Sequence, residues 1–194
     1  MEVQKFWDEA DIVCTNPPFS IIPEFYAKIL NKKFSTIGNN LDIVTEKDIL
    51  IREINNDNMF IRNHSGNFIT PNGETVSISK HSILWFTNLI REDKKRKYDW
   101  QTVESNLKYN KKLQDFIKKH GMSIDNYPKT DDGDFYVPIY SAIPIDYYEE
   151  MIVPISYLNA IDRKNFIIIG KIRGATVNGK ELFQMLRIKR RIDG

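Results

Sequence analysis

The chain has 194 residues, 41% of them hydrophobic and 28% charged, enough apolar material for one compact core with a smaller appendage. That balance excludes a disordered chain, and a single cysteine, Cys14, excludes an internal disulfide and a cysteine-rich zinc site. The net charge of +2 does not by itself mark a nucleic-acid binder, but the basic residues bunch: Lys94, Lys95, Arg96 and Lys97; the stretch 111–119; and Arg187, Lys189, Arg190 and Arg191. His64, His81 and His120 show no metal-ligand spacing, so no metal is expected. No segment approaches the ~20 apolar residues of a membrane span and no signal-peptide pattern opens the chain, so the expectation is a soluble, intracellular protein.

In chain order, residues 10–15 (Ala-Asp-Ile-Val-Cys-Thr) form a short apolar, β-branched run that predicts a strand buried on both faces. Asn16-Pro17-Pro18 ends it, because two prolines remove two backbone donors. Ser20 is then the expected cap of a helix to about Asn31, with Ile21, Phe25 and Ile29 on one face and Ile22, Tyr26 and Leu30 beside it. A strand follows over 34–38. Thr45, with Asp48 three residues on, resembles a capping box opening a helix to about Asn55. Strand–loop–helix repeated in this way is the grammar of an α/β sheet.

The pattern then changes. Residues 59–63 and 67–70 flank a glycine turn, and Pro71-Asn72-Gly73 is a second turn signal, so a meander or hairpin is expected. Residues 82–89 return to a buried strand. Residues 91–136 read as an insertion that opens on Lys94-Lys95-Arg96-Lys97. It contains a helix from about Thr102 to His120, ended by Gly121, and then an acidic loop over 130–134. Pro154 makes 152–158 an edge strand or loop, whereas 166–170 is a clear strand. The tail from Lys180 to Arg191 alternates basic and apolar residues and is compatible with either a strand or a short helix. The expected organisation is an α/β core over 1–90, an inserted region over 91–136 (a catalytic core and a DNA-recognition region, respectively, only on the family resemblance given below), and a return to the core with a basic segment over 137–194.

Chemistry concentrates in Asn16-Pro17-Pro18-Phe19. Methylating an exocyclic amine such as adenine N6 is difficult because its lone pair is delocalised into the ring. Acceptors placed where the two amino hydrogens point favour a tetrahedral nitrogen with its lone pair free to attack. An asparagine side-chain oxygen supplies one acceptor, and the Pro17 carbonyl, held by a fixed φ, can supply the other. A base inside a duplex must first be extruded, and an aromatic ring at the fourth position gives it a face for stacking worth roughly 1–3 kcal/mol. The carboxyl end of a strand is where open α/β sheets place their ligands. As a bare tetrapeptide the same residues make a rigid turn; a buried strand before and an amphipathic helix after favour the functional reading.

The decapeptide Asp11-Ile12-Val13-Cys14-Thr15-Asn16-Pro17-Pro18-Phe19-Ser20 resembles the catalytic motif of amino-group DNA methyltransferases. Further stretches resemble the EcoRI-type adenine-specific subgroup: Phe34-Ser35-Thr36-Ile37-Gly38-Asn39, Leu84-Trp85-Phe86-Thr87-Asn88-Leu89, Val153-Pro154-Ile155-Ser156-Tyr157-Leu158 and Asn165-Phe166-Ile167-Ile168-Ile169-Gly170. The tail from Val177-Asn178-Gly179-Lys180 through Arg190 also fits. The resemblance covers nearly the whole chain and is weakest over 91–136. It implies an α/β, Rossmann-like methyltransferase fold, S-adenosylmethionine as donor, and double-stranded DNA as substrate. By position, Asn16 and the Pro17 carbonyl would bind the adenine amino group, Pro18 would shape the loop, and Phe19 would stack on the flipped base. It also implies a cytoplasmic protein of bacterial or phage origin in a restriction–modification type system.

The subgroup's glycine-bearing donor loop precedes the catalytic motif, and only nine residues precede the apolar run here. Ile169-Gly170-Lys171-Ile172-Arg173-Gly174 lacks the spacing for a substitute. The chain therefore reads as an incomplete Rossmann-like fold with a mixed sheet and an inserted helical, basic region. It carries the adenine half of a site with no residue assignable to the donor, and self-association or pairing with a missing N-terminal part is expected. The duplex-contact candidates are Lys94, Lys95, Arg96, Lys97 and Arg190; the 111–119 helix reads equally as a solvated face or a phosphate track. Cys14 reads as a buried structural thiol, since cytosine-C5 chemistry needs its cysteine after the prolines. Three functions compete: an adenine-N6 DNA methyltransferase or truncated part of one, an enzyme acting on RNA adenine or a protein glutamine amide, and a catalytically inactive DNA-binding remnant.

Overall fold

The first strand–helix–strand unit closes as its pattern requires in a computed structural model, which describes residues 6, 8–38, 48–63, 67–77, 83–89, 99–160 and 162–192. The chain divides into two compact units, Met1–Asp93 and Lys94–Gly194.

In the first unit, β1 (Ile12–Thr15) and β2 (Lys33–Gly38) run parallel, with Val13 opposite Phe34. Parallel neighbours need a crossover, which a 3-10 turn (Phe19–Ile21) and α1 (Ile22–Ile29) provide. Ile22, Phe25, Tyr26 and Ile29 are buried at the i, i+3, i+4, i+7 spacing of one helix face. Pro23 in the first helical turn costs no hydrogen bond. Below α1, the Tyr26 and Thr36 hydroxyls share a buried 2.6 Å hydrogen bond, and the Tyr26 ring packs edge-on against Phe34. After α2 (Asp48–Asn55), which buries Leu50 and Ile54, come β3 (Phe60–Asn63), the pair β4 (Asn67–Ile69) and β5 (Thr75–Ser77), and β6 (Leu84–Thr87). The sheet order is β1-β2-β6-β3, with β6 antiparallel to both neighbours. It is a mixed sheet, as expected. β4 and β5 form the expected hairpin across Pro71-Asn72-Gly73, where Gly73 takes the positive φ (81°) the turn demands.

Three expectations change. β1 is not buried on both faces: it is the sheet's edge strand, only Val13 is buried, and Ile12 is 50% exposed. Cys14 is accordingly exposed rather than a buried thiol. An apolar run reports a preference for burial, and an edge strand has only one neighbour to supply it. Ser20 does not cap a helix, because it lies inside the 3-10 turn, and α1 starts at Ile22 without a side-chain cap and stops at Ile29. Thr45 lies outside the described residues.

In the second unit, the helix expected from about Thr102 to His120 is two helices, α3 (Val103–Tyr109) and α4 (Lys111–Lys119), broken at Asn110. Thr102 caps α3 through Ser105 N (3.1 Å). Asn110, extended at φ −82° and ψ 94°, ends α3 and caps α4 by accepting from Leu113 N. Its amide also donates to the Ser141 carbonyl at 3.1 Å, which fixes the corner. Gly121, at φ +65°, follows the end of α4 as expected.

The remaining strands are β7 (Met151–Pro154), β8 (Phe166–Ile172), the short pair β9 (Thr176–Val177) and β10 (Lys180–Glu181), and β11 (Met185–Arg190). β11 resolves the ambiguous tail as a strand: Leu186 and Ile188 are buried, and Arg187 and Lys189 alternate with them at period two. It lies between β7, the expected edge, and β8, antiparallel to both, with a bulge at Arg187/Ile188. Tyr136, Ile152, Val177 and Met185 form a core against which Phe116 and Met122 pack. Residues 99–136 share this core with residues after 137: Tyr127 donates to the Ala142 carbonyl at 2.6 Å, and Tyr136 bridges to Ile152.

The 130–134 loop is held by charge. Asp131 accepts from Asn178 N and Gly179 N, each at 2.9 Å, and Thr176 with these amides holds its carboxyl below the ordinary 3.8. A depressed carboxyl stabilises the fold above its unfolded pKa, and the contribution disappears as pH falls through the lower folded value. Asp131→Asn is therefore expected to lose stability at neutral pH and to converge with the parent as pH falls through the lowered value of the folded carboxyl. Urea denaturation of both proteins between pH 2 and 7 checks this; parallel curves would refute it.

Candidate functional site

β1 delivers its last residue, Thr15, to an exposed sheet end, and Asn16 follows at once with its side chain in solvent. Pro17 is buried and anchors the loop, whereas Pro18 is exposed at φ −60° and ψ 131°, the extended entry to the 3-10 turn. The three carbonyl positions differ in use. The Pro18 carbonyl is consumed by Ile21 N at 3.2 Å, whereas among the described residues no donor reaches the Pro17 carbonyl or the Asn16 side chain. Two acceptors on adjacent residues, one on the exposed Asn16 side chain and one on the backbone of buried Pro17, thus carry no hydrogen bond from a described donor beyond the carboxyl end of a strand with a parallel neighbour. Phe19 opens the turn directly after them; its side chain lies outside the described residues.

The opposite, amino-terminal ends of β1 and β2 are braced from across the sheet. Asn88 accepts from Phe34 N at 2.7 Å and donates to the Lys32 carbonyl at 2.7 Å, while Thr87 Oγ1 donates to the Phe34 carbonyl at 2.8 Å. These bonds extend the β2–β6 pairing past the end of β6, and Lys32 Nζ donates to the Asp8 and Ala10 carbonyls just ahead of β1. No sequence signal was attached to Asn88 beyond its place in a family-like stretch; an asparagine immediately after a buried strand was the available clue.

Lys94, Lys95, Arg96 and Lys97 lie outside the described residues. The Arg190 guanidinium sits 4.9 Å from the centre of the Tyr148 ring. Trp100 is a half-buried core aromatic, edge-on to Tyr140 and Phe166 and donating to Asp162. The Gly170–Gly174 stretch is no donor loop: Gly170 is inside β8 opposite Arg187, Gly174 turns at φ +72°, and a strand rather than a helix follows. No helix among the described residues is long and apolar enough to cross a membrane.

A mixed α/β sheet thus carries an Asn-Pro-Pro-Phe loop off a strand's carboxyl end. The comparisons give the family. The family model described as "Adenine-specific methyltransferase EcoRI" matches residues 1–193, and the chain belongs to that family. It is similar to the Type II methyltransferase M.MgeORF184P of Mycoplasma genitalium, 29% identical over 83% of this chain and 52% of that protein. It is also similar to the Type II methyltransferase M.MpnI of Mycoplasma pneumoniae, at 26% over 83% and 51%. The Type II methyltransferase M.EcoRI of Escherichia coli is 28% identical over 93% of this chain and 58% of its own length. The chain thus spans about half the length of the curated relatives it matches. No solved structure matches it.

Proposed function

We propose that this chain is the adenine-presenting part of a site-specific DNA adenine-N6 methyltransferase of a restriction–modification type system. The observation that carries the reading is the pair of acceptors that no described donor reaches, the Asn16 side chain and the Pro17 carbonyl, at the end of β1 beside a neighbouring carbonyl already in use. Two hydrogens on an exocyclic amine need two acceptors, and holding both prepares the nitrogen lone pair for attack. Phe19 stacks on the extruded adenine, Pro18 sets the turn, and Lys94, Lys95, Arg96, Lys97 and Arg190 contact the duplex around it.

The methyl group comes from S-adenosylmethionine by family analogy. No strand–glycine loop–helix occurs among the described residues, so we assign the donor pocket to sequence that pairs along the outer edge of β1 and completes a Rossmann-like sheet. The exposed Ile12 and Cys14 on that edge support the assignment. The isolated chain is expected to bind S-adenosylmethionine with no heat resolvable by titration calorimetry, and its Cys14 to alkylate at the rate of a free thiol. A version carrying its N-terminal part is expected to bind the donor and to slow Cys14 alkylation at least about tenfold. Tight donor binding by the 194-residue chain would overturn the assignment.

The absence of a strand–glycine loop–helix among the described residues also favours a second reading, a catalytically inactive remnant that keeps only DNA contacts. Methylation assays on duplex DNA, RNA and protein, with the N-terminal part restored, decide between them. Transfer confined to adenine N6 in duplex DNA supports the first reading, transfer to RNA or a glutamine amide replaces the substrate, and no transfer leaves the remnant.

A further inference from the structure

The three basic clusters of the sequence differ in what their charges touch. One lies outside the described residues. In the tail, Arg187 is paired with Glu150 at 3.0 Å and Asp134 at 3.3 Å, Arg191 donates to the Arg163 carbonyl, and Arg190 rests on the Tyr148 ring. Arg187 and Arg191 are thus held by the protein itself, and Arg190 is set by a single aromatic ring. The third cluster is different. Lys108 on α3 and Lys111, Lys112, Lys118 and Lys119 on α4 are all exposed, and none forms an ion pair with a described carboxylate.

Helical geometry puts the four α4 lysines on one face. At 100° per residue they fall within an arc of about 120°, with Asp115 near its middle. Leu113 and Ile117, both fully buried, lie opposite, so the lysine face is fixed outward. The segment Lys108–Lys119 contains five lysines and one aspartate, a charge of +4, while the whole chain carries +2 and the remainder therefore −2. Lys111 and Lys118 are about 10 Å apart along the axis, close to the rise of three nucleotides of one strand. Tyr109, 67% exposed with Lys108 Nζ 5.2 Å from its ring centre, adds a flat apolar surface beside the charges.

Both ends of this face are braced. Asn110 ties its start to Ser141; at its end the His120 carbonyl accepts from Asn178 Nδ2 at 2.8 Å, and His120 stacks on Phe116 at 4.0 Å. Asn178 is in turn joined to Asp131. A rigid, one-sided row of unpaired ammonium groups is complementary to a regular polyanion. We propose that the outer face of α4, with Lys108 and Tyr109, is a phosphate-backbone contact surface for duplex DNA. It makes sequence-independent contacts that hold the duplex while the bases are read elsewhere. The inference rests on the DNA-methyltransferase reading for its partner, and on the unpaired lysines for its location.

The test is the salt dependence of binding by the full 194-residue chain. A fluorescent duplex DNA is titrated by anisotropy from about 0.05 to 0.3 M salt, because each neutralised phosphate contributes about −0.9 to the slope of log K against log salt. Joint replacement of Lys111, Lys112, Lys118 and Lys119 by Gln is expected to reduce that slope by about 2–4 and affinity at 0.1 M salt at least about tenfold. A charge-matched variant with Gln at Lys28, Lys33, Lys164 and Lys180 should keep most of the affinity. The circular dichroism spectrum identifies any loss of fold, and in that case the pair Lys112→Gln and Lys119→Gln, with an expected slope change of about 1–2, takes the place of the quartet. Equal losses in the two charge-matched variants, no loss in the lysine-face variant, no duplex binding by the parent chain, or tighter lysine-dependent binding to double-stranded RNA would each overturn the proposal. Failure here with adenine methylation intact leaves the methyltransferase reading standing. Lysine-dependent DNA binding without methylation in the restored protein removes that reading and leaves the surface.

Discussion

With the N-terminal part restored, Asn16→Ala is expected to lower single-turnover adenine methylation by about 10²–10³-fold while duplex affinity stays within about threefold of the parent. On the proposed reading Asn16 contributes one preorganised acceptor aimed at a developing charge, and losing one such group costs about 2.7–4 kcal/mol of barrier. Duplex affinity is little affected because most of it comes from phosphate contacts. Asn16→Asp keeps an acceptor oxygen in place and should retain more activity than the alanine variant. The Pro17 carbonyl cannot be deleted by substitution, so the pair Asn16→Ala and Asn16→Asp isolates the acceptor role from simple loss of volume. Rate and binding are measured on the same duplex. An alanine variant that methylates at the parental rate removes Asn16 from the site, and one that loses DNA binding in proportion to rate makes it a docking residue.

Phe34→Ala should destabilise the first unit by about 3–5 kcal/mol, a large part of the stability of a unit this size. Phe34 is fully buried in β2, opposite Val13 of the strand that carries the site and edge-on to Tyr26 of the crossover helix. Its amide and carbonyl are both engaged by the Asn88–Thr87 corner, so the backbone cannot collapse into the cavity. Phe34→Leu keeps most of the volume and should cost under about 1.5 kcal/mol. Equilibrium urea denaturation of the three proteins measures both values. A loss below about 1 kcal/mol for the alanine variant would mean that β1 and α1 are held by something other than this ring.

Features set by local rules were legible in the sequence. The strands β2 and β6, the apolar face of α1 and the turn at Pro71-Asn72-Gly73 follow from apolar patterning and turn chemistry. The Asn-Pro-Pro-Phe loop was legible because its residues are consecutive and sit where a strand must stop. Properties decided by distant neighbours were not. The edge position of β1 and the exposure of Cys14 depend on what pairs with the strand, not on its own composition. The break at Asn110 depends on a carbonyl 31 residues away at Ser141. Arg187 looked like any other tail cation until Glu150 and Asp134 were seen beside it. The unused Pro17 carbonyl became apparent only once the Pro18 carbonyl was accounted for.

The position of β11 has a kinetic consequence. β7 and β8 do not pair with each other; their strand pairing is with β11, at separations such as Met151 to Ile188 and Phe166 to Arg190, and β7 has besides this the single bridge from Ile152 to Tyr136. Synthesis runs from the amino end, so both outer strands are made before the strand that joins them. Until then β7 and β8 expose unmatched ladders and the apolar side chains of Met151, Val153, Phe166 and Ile168. The three-stranded sheet of the second unit is thus completed only by its last-made strand, which enters between the two made before it.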